Sequence, residues 1–539
     1  MKISVYFFSI ILISANAQPK PGTVEGTVVS SVGGTPVKKA TVTLRNATQN
    51  FAYAALSDAT GHFLIENVEP GSYQVAADSS GFMSLMVRPS ALKPITVAEE
   101  QHVKDVAVKL TPLGSISGHI VDADGDPIAR ANVSAMRYQY QQGRKRLQPS
   151  GFTSTNDLGE YQMVALPPGR YYLLVVAQPR IMRLPPHTRL AMPETAYPDT
   201  FYPNGSAITQ AKGTQVDAGA QIGDVDFRLQ EVPSHHIRGS VPGSSTDHST
   251  RNAFVTVVRS GDDSFATPGF QQKSASVQPD GTFDVRGLVN GSYNLSIRSQ
   301  QRQAMSAHQL VTIADQDVDG IVLQPIPSRT ITGSVTVEGT HPDSWQGMQI
   351  NLSPLDGMGR TYNAEIGSDA TFSFNDISAA VYDLNVWANI PGKYVKSIRF
   401  SDRDIADGQL DLSHQSEGKI EIALASDVGT LLGGVQTSSG EPAVGALVTL
   451  APKQENRVDL FKVISVDANG NFSLKDVAPG DYVAFAWQDV DVSMAQGADF
   501  RKPFESKGVA VSIAPSGQAS IRLKLISADD VEAEKNKLP

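Results

Sequence analysis

The sequence predicts an all-β protein, a tandem array of about five β-sandwich domains. Three observations predict it. A turn signature returns five times along the chain, apolar and polar residues alternate beside each copy, and the composition suits short strands joined by turns. At 539 residues the chain is too long for one hydrophobic core. Charged residues are 19% of the total, too few for charge-driven disorder.

The signature is a turn, then Gly-x-Phe/Tyr, then Pro-Gly-x-Tyr. Its first copy reads Asp58-Ala59-Thr60-Gly61-His62-Phe63, then Pro70-Gly71-Ser72-Tyr73. The second is Asp157-Leu158-Gly159-Glu160-Tyr161 with Pro168-Gly169-Arg170-Tyr171, the third Asp280-Gly281-Thr282-Phe283 with Asn290-Gly291-Ser292-Tyr293. The fourth is worn, Asp369-Ala370-Thr371-Phe372 with Ala380-Val381-Tyr382. The fifth is Asp467-Ala468-Asn469-Gly470-Asn471-Phe472 with Pro479-Gly480-Asp481-Tyr482. Asp and Asn tolerate left-handed backbone and Gly supplies positive φ, so each first half is a hairpin turn. The aromatic ring after the Gly opens an alternating strand and is expected to point inward. Gly71, Gly169, Gly291 and Gly480 turn the chain into the next strand. Tyr73, Tyr171, Tyr293, Tyr382 and Tyr482 are placed as tyrosine corners, ring in the core and hydroxyl bonded to nearby backbone.

Each copy also opens alike, at Glu25-Gly26-Thr27-Val28, Ser117-Gly118-His119-Ile120, Arg238-Gly239-Ser240-Val241, Thr332-Gly333-Ser334-Val335 and Leu432-Gly433-Gly434-Val435. Copies one, two and five continue through a Pro-containing turn into an alternating strand, as in Pro36 to Leu44 and Pro442 to Leu450. Together these motifs resemble the carboxypeptidase regulatory-like domain, which is transthyretin-like. The resemblance covers nearly the whole mature chain and is similar to exported bacterial proteins with tandem copies of the module. It implies immunoglobulin/transthyretin-like Greek-key sandwiches of seven strands, used as stalk, spacer or binding modules and without activity of their own.

The repeat places modules at 18–111, 112–232, 233–326, 327–426 and 427–527, with a charged, apolar-poor tail at 528–539 expected to fray. The junctions are short, which suggests a semi-rigid rod. At the N-terminus, Lys2 precedes the apolar run Val5 to Ile13 and the small-x-small site Ala15-Asn16-Ala17. This reads as a signal peptide over 1–17, cleaved before Gln18, with export to the periplasm or the extracellular space. No second apolar run is long enough to span a bilayer, so the mature chain is expected to lack a transmembrane segment.

The formal net charge of −10 repels phosphate backbones and argues against nucleic acid. With no cysteine, thiol nucleophiles, thiolate zinc sites and disulfides are excluded. Neither the dispersed histidines nor the glycine patterns compose a zinc-peptidase, nucleophile-elbow or phosphate-loop motif. His235 and His236 are expected on opposite faces of a strand, and Asp122 to Asp126 and Asp402, Asp404 and Asp407 as acidic turns, with a weak calcium site as the alternative reading. Arg144-Lys145-Arg146 reads as a solvated loop. The chain is thus expected to need no cofactor or metal and to have no catalytic residue.

The least repeat-like stretches carry the binding hypothesis. Tyr138-Gln139-Tyr140 is read as the start of a loop inserted in copy two, and Pro179 to Gly205 adds Tyr197, Phe201 and Tyr202. With Trp487, these aromatics are the candidate ligand contacts, set against packing between modules. Two readings follow. One is a non-catalytic spacer or adhesion scaffold at the cell envelope. The other is a carbohydrate- or protein-binding module, accessory to a separate peptidase or transporter. The expected partner is an envelope protein or polysaccharide.

Overall fold

The computed structural model describes residues 20–46, 52–84, 94–141, 143–178, 194–242, 253–260, 272–299, 308–326, 328–339, 342, 344–355, 360–405, 408–413, 418–535 and 537. The expected signal peptide over 1–17, residues 179–193 of the predicted insert, and Asp407 lie outside them. The chain is all-β, a tandem array of sandwiches. Module one with Asp217–Ala220 forms one compact unit and the remainder of the chain another.

Module one has strands β1 Gly22–Ser30, β2 Thr41–Asn46, β3 Ala52–Leu56, β4 His62–Val68, β5 Gly71–Asp78, β6 Pro94–Val97 and β7 His102–Leu110. One sheet runs β4-β1-β7 and the other β3-β2-β5-β6. β1 lies antiparallel to β4 and parallel to β7. Alternation along β1 buries Val24 and Val28, which meet Leu44, Phe63, Tyr73 and Leu110 in the core. Module three repeats this arrangement over His235–Val322.

In the second unit every module keeps its first strand between its fourth and its last. Module two breaks the last strand into Gln221–Ile222 and Phe227–Arg228, both parallel to Gly114–Val121. Module four adds Tyr394–Phe400 and Arg403–Asp404 to that sheet. In module five the last strand, Gln518–Ile526, pairs with both Gly429–Gln436 and Gly480–Trp487, joining the two sheets.

The signature residues explain one another. In module one, Asp58 Oδ1 accepts bonds from the amides of Thr60 and His62 at 2.8 and 2.9 Å, closing the turn. In module two that role falls to Asn156, one residue before the Asp157 read from the sequence; its Oδ1 accepts from Leu158 and Glu160. In module four Ala370 occupies the glycine position with φ of 62°. The aromatic rings that follow, Phe63, Tyr161, Phe283, Phe372 and Phe472, are all buried. The opening glycine makes room for them: a Cβ on Gly26 would lie 2.8 Å from the Phe63 ring and 2.1 Å from the Val106 carbonyl. All five corner tyrosines are buried, each donating its hydroxyl to the carbonyl four residues earlier (Glu69, Pro167, Val289, Ser378, Ala478) at 2.5–2.9 Å.

Two features depart from expectation. A left-handed residue interrupts the fourth strand of every module, at Asn67, Ala165, Gly287, Asp376 and Asp476. In module one it coincides with the register shift between β1 and β4. The tail expected to fray begins as a helix, Ala528–Lys535, because Val531 is buried against Trp487 and Phe504.

Candidate functional site

The predicted aromatic contacts do not form an exposed platform. Thr200–Phe201 is a short strand paired with Gly169–Val176, Phe201 opposite Leu174. Phe201 and Ile208 thereby cover the outward residues Met136, Leu147, Tyr172 and Leu174. Tyr202 lies edge-on to Phe227 at 5.6 Å, and Tyr197 packs on the same core. Burial and Glu231 push the Tyr197 hydroxyl up. Trp487 is wholly buried, stacked on Phe485 at 5.5 Å, with its indole N–H donating to Thr449 Oγ1 at 2.8 Å. Tyr171 to Val176 and Tyr482 to Trp487 are apolar at every position, which demands cover on both faces of the strand.

The stretch from Tyr138 to Arg146 is not a loop. Asn132–Gln141 and Arg144–Ser154 form one long hairpin turning near Gly143, whose φ is 73°. The hairpin is an arm that joins modules two, four and five. Tyr140 enters the apolar cluster of module five with Phe500 and Trp487; its ring stands edge-on to Phe500 at 6.1 Å. Its hydroxyl donates to Asp499 Oδ2 at 2.9 Å, and burial together with Asp499 pushes it up. Gly497 is small because a Cβ there would lie 2.4 Å from the Tyr140 ring. Arg144 and Arg146, expected to be solvated, both lie 3.5 Å from the carboxylate of Asp383 in module four, a side chain only 14% exposed. Lys145 sits 4.5 Å over the Tyr138 ring. Modules four and five meet again where Arg457, paired with Asp459 at 2.8 Å, donates to the Val395 carbonyl. Nearby, Tyr394 donates to Asp427, and burial with that bond pushes its hydroxyl to about 12.

Between these contacts lies a cleft of about 460 Å³. Its floor is the edge of module four, Asp383 to Trp387 and Lys396 to Ile398, and its walls are Arg144, Gln496 and the module-five segment Gln454 to Asp459. Trp387 is partly exposed there.

Two charged clusters decorate other faces. In module one, Glu25 accepts from His62 at 2.9 Å and faces His102 at 2.7 Å; the bond from His62 and then the two imidazoles hold its carboxyl below the usual range. In module three, His236 lies between Asp284 at 2.8 Å and Glu194 at 2.9 Å, while Arg238 joins Asp317 and Asp319. Asp122 to Asp126 is a turn whose amides bond to Asp122 Oδ1. Among the described residues no group of three His, Asp or Glu side chains is arranged to hold a metal ion, and no helix is long and apolar enough to cross a membrane.

Comparison with curated proteins finds no match to the chain. Among solved structures, the Bacillus anthracis TIE protein is 14% identical over 57% of this chain and 51% of its own, with a TM-score of 0.18. The chain therefore covers about half the length of that protein. A streptococcal ancillary pilin is 12% identical over 54% of this chain and 98% of its own, with a TM-score of 0.22. BcpA, the major pilin subunit of Bacillus cereus, is 11% identical over 57% and 99%, with a TM-score of 0.17. The family model of the Carboxypeptidase regulatory-like domain matches residues 23–111 and 115–180. The match covers module one and the first part of module two, which are similar to that domain and stand in tandem.

Proposed function

We propose that the chain is an exported, non-catalytic scaffold of the cell envelope, in which modules two, four and five are clamped into one body. The observation that carries this reading is the hairpin arm. Tyr140 buries its ring in module five while Arg144 and Arg146 of the same hairpin reach Asp383 in module four. A chain of freely jointed beads has no use for such contacts; a part that must hold a fixed geometry does. The buried polar bond of Tyr140 to Asp499 adds orientation to the apolar contact. The signal-like N-terminus supports an extracytoplasmic location, and the net negative charge argues against a nucleic-acid partner.

Fractionation of cells expressing the full chain, with N-terminal sequencing and cross-linking through surface lysines, tests the reading. The expected result is a processed chain beginning at Gln18, recovered outside the cytoplasm and cross-linked to envelope material. An unprocessed cytoplasmic chain would overturn it, as would turnover of a peptide or glycan substrate by the purified protein.

A further inference from the structure

We propose that the cleft between modules two, four and five binds a neutral oligosaccharide, with the Trp387 indole as its stacking surface. This site rests on the scaffold reading, since the clamp builds the cleft walls. Among the described lining residues, Arg144, Lys396 and Arg457 stand against Asp383, Asp404 and Asp459, so the cleft carries no net charge. The cations are engaged: Arg144 faces Asp383, Arg457 pairs with Asp459, and Lys396 bonds to Glu338 at 2.7 Å. A phosphate, a carboxylate or a metal ion finds no surplus of opposite charge there.

What remains is amide and hydroxyl chemistry beside an indole. Asn385, Ser397, Gln454, Asn456 and Gln496 line the same cleft as Trp387. Side-chain amides offer donors and acceptors together, which matches sugar hydroxyls, and an aromatic face receives the apolar side of a pyranose ring. A volume of about 460 Å³ lies within the ~300–1,000 Å³ range of small-molecule sites. The fold itself gives the second argument. Module five buries its equivalent tryptophan, Trp487, under its own helical insert Val492–Lys507, whereas Trp387 opens onto the cleft and follows the polar residues Asp383 and Asn385 at alternate positions of its strand.

Binding is tested on the mature chain with cellohexaose, laminarihexaose, maltohexaose and chitohexaose as neutral probes and oligogalacturonate as an acidic one, read by calorimetry. The expected result is binding of at least one neutral probe. It is weakened about tenfold or more by Trp387→Ala and about fivefold by Asn385→Ala, and largely kept in Trp387→Phe. An unchanged melting temperature in Asn385→Ala separates loss of contact from loss of fold. Binding of oligogalacturonate alone would overturn the proposal, as would no binding of any neutral probe or binding indifferent to all three substitutions. If no neutral probe binds while spin-label distances between modules two and five stay sharp, the site fails and the scaffold stands. If those distances are broad, the scaffold itself fails.

Discussion

Trp387 and Trp487 occupy the same position in two modules, each following its corner tyrosine (Tyr382 or Tyr482) at the same offset along the same strand, and meet opposite environments. Trp487 is enclosed by Phe485, Phe500 and Phe504; Trp387 borders an open polar cleft. Trp487→Ala is expected to cost about 3–5 kcal/mol, the range for emptying an aromatic site in a core. Trp387→Ala is expected to cost less than about 1 kcal/mol. Denaturant titration of the two variants checks this, and equal losses would contradict it.

The corner bond gives a smaller, sharper expectation. Tyr73 donates to the Glu69 carbonyl at 2.7 Å with its ring fully buried. Tyr73→Phe keeps the ring and removes the bond, at a cost of about 1 kcal/mol. Hydrogen exchange of β5 amides reads it in the intact protein, as faster exchange confined to module one.

Two alanines hold backbone geometry that suits glycine. Ala165 has φ of 61° and Ala370 of 62°. Left-handed backbone costs an L-residue about 1–2 kcal/mol, against which glycine loses part through unfolded-state entropy. Ala165→Gly and Ala370→Gly are each expected to stabilise their module by about 0.5–1 kcal/mol. A lowered melting temperature would contradict this.

Asp199 carries a pH dependence. Burial raises its carboxyl from 3.8 to about 6, with Arg259 and Lys273 of module three acting in the opposite direction. A folded-state pKa above the unfolded one means stability that is fully present below pH 3.8 and is lost as pH rises through about 6. Asp199→Asn should therefore flatten the melting temperature between those values and raise it at neutral pH. An unchanged profile would remove Asp199 from the account.

Much of the fold could be read from residues alone, because strand alternation, turn chemistry and corner spacing all act locally. The contrast between covered and open faces was also present: Tyr382-Asp383-Leu384-Asn385 alternates, whereas Tyr482-Val483-Ala484-Phe485 does not. What escaped was set by contacts distant in sequence. The arm looked like a loop because Tyr138-Gln139-Tyr140 and Arg144-Lys145-Arg146 mix ring and charge, and their partners, Phe500 and Asp383, lie in other modules. The fourth-strand bulge escaped because its residue varies among Asn, Ala, Gly and Asp, so no single side chain marks it. The terminal helix is held by buried Val531 and by bonds from Lys507 to Asp530 and from the Ala528 amide to Gln488, partners distant in sequence.

The clamp is tested most directly by pulsed electron–electron distance measurement, which the cysteine-free sequence makes straightforward. Spin labels at Leu158→Cys in module two and Val444→Cys in module five occupy exposed positions. One narrow distance distribution in the parent chain, broadened when Tyr140→Ala is added, is the expected result. A broad distribution in the parent chain, or one indifferent to Tyr140, would contradict the clamp.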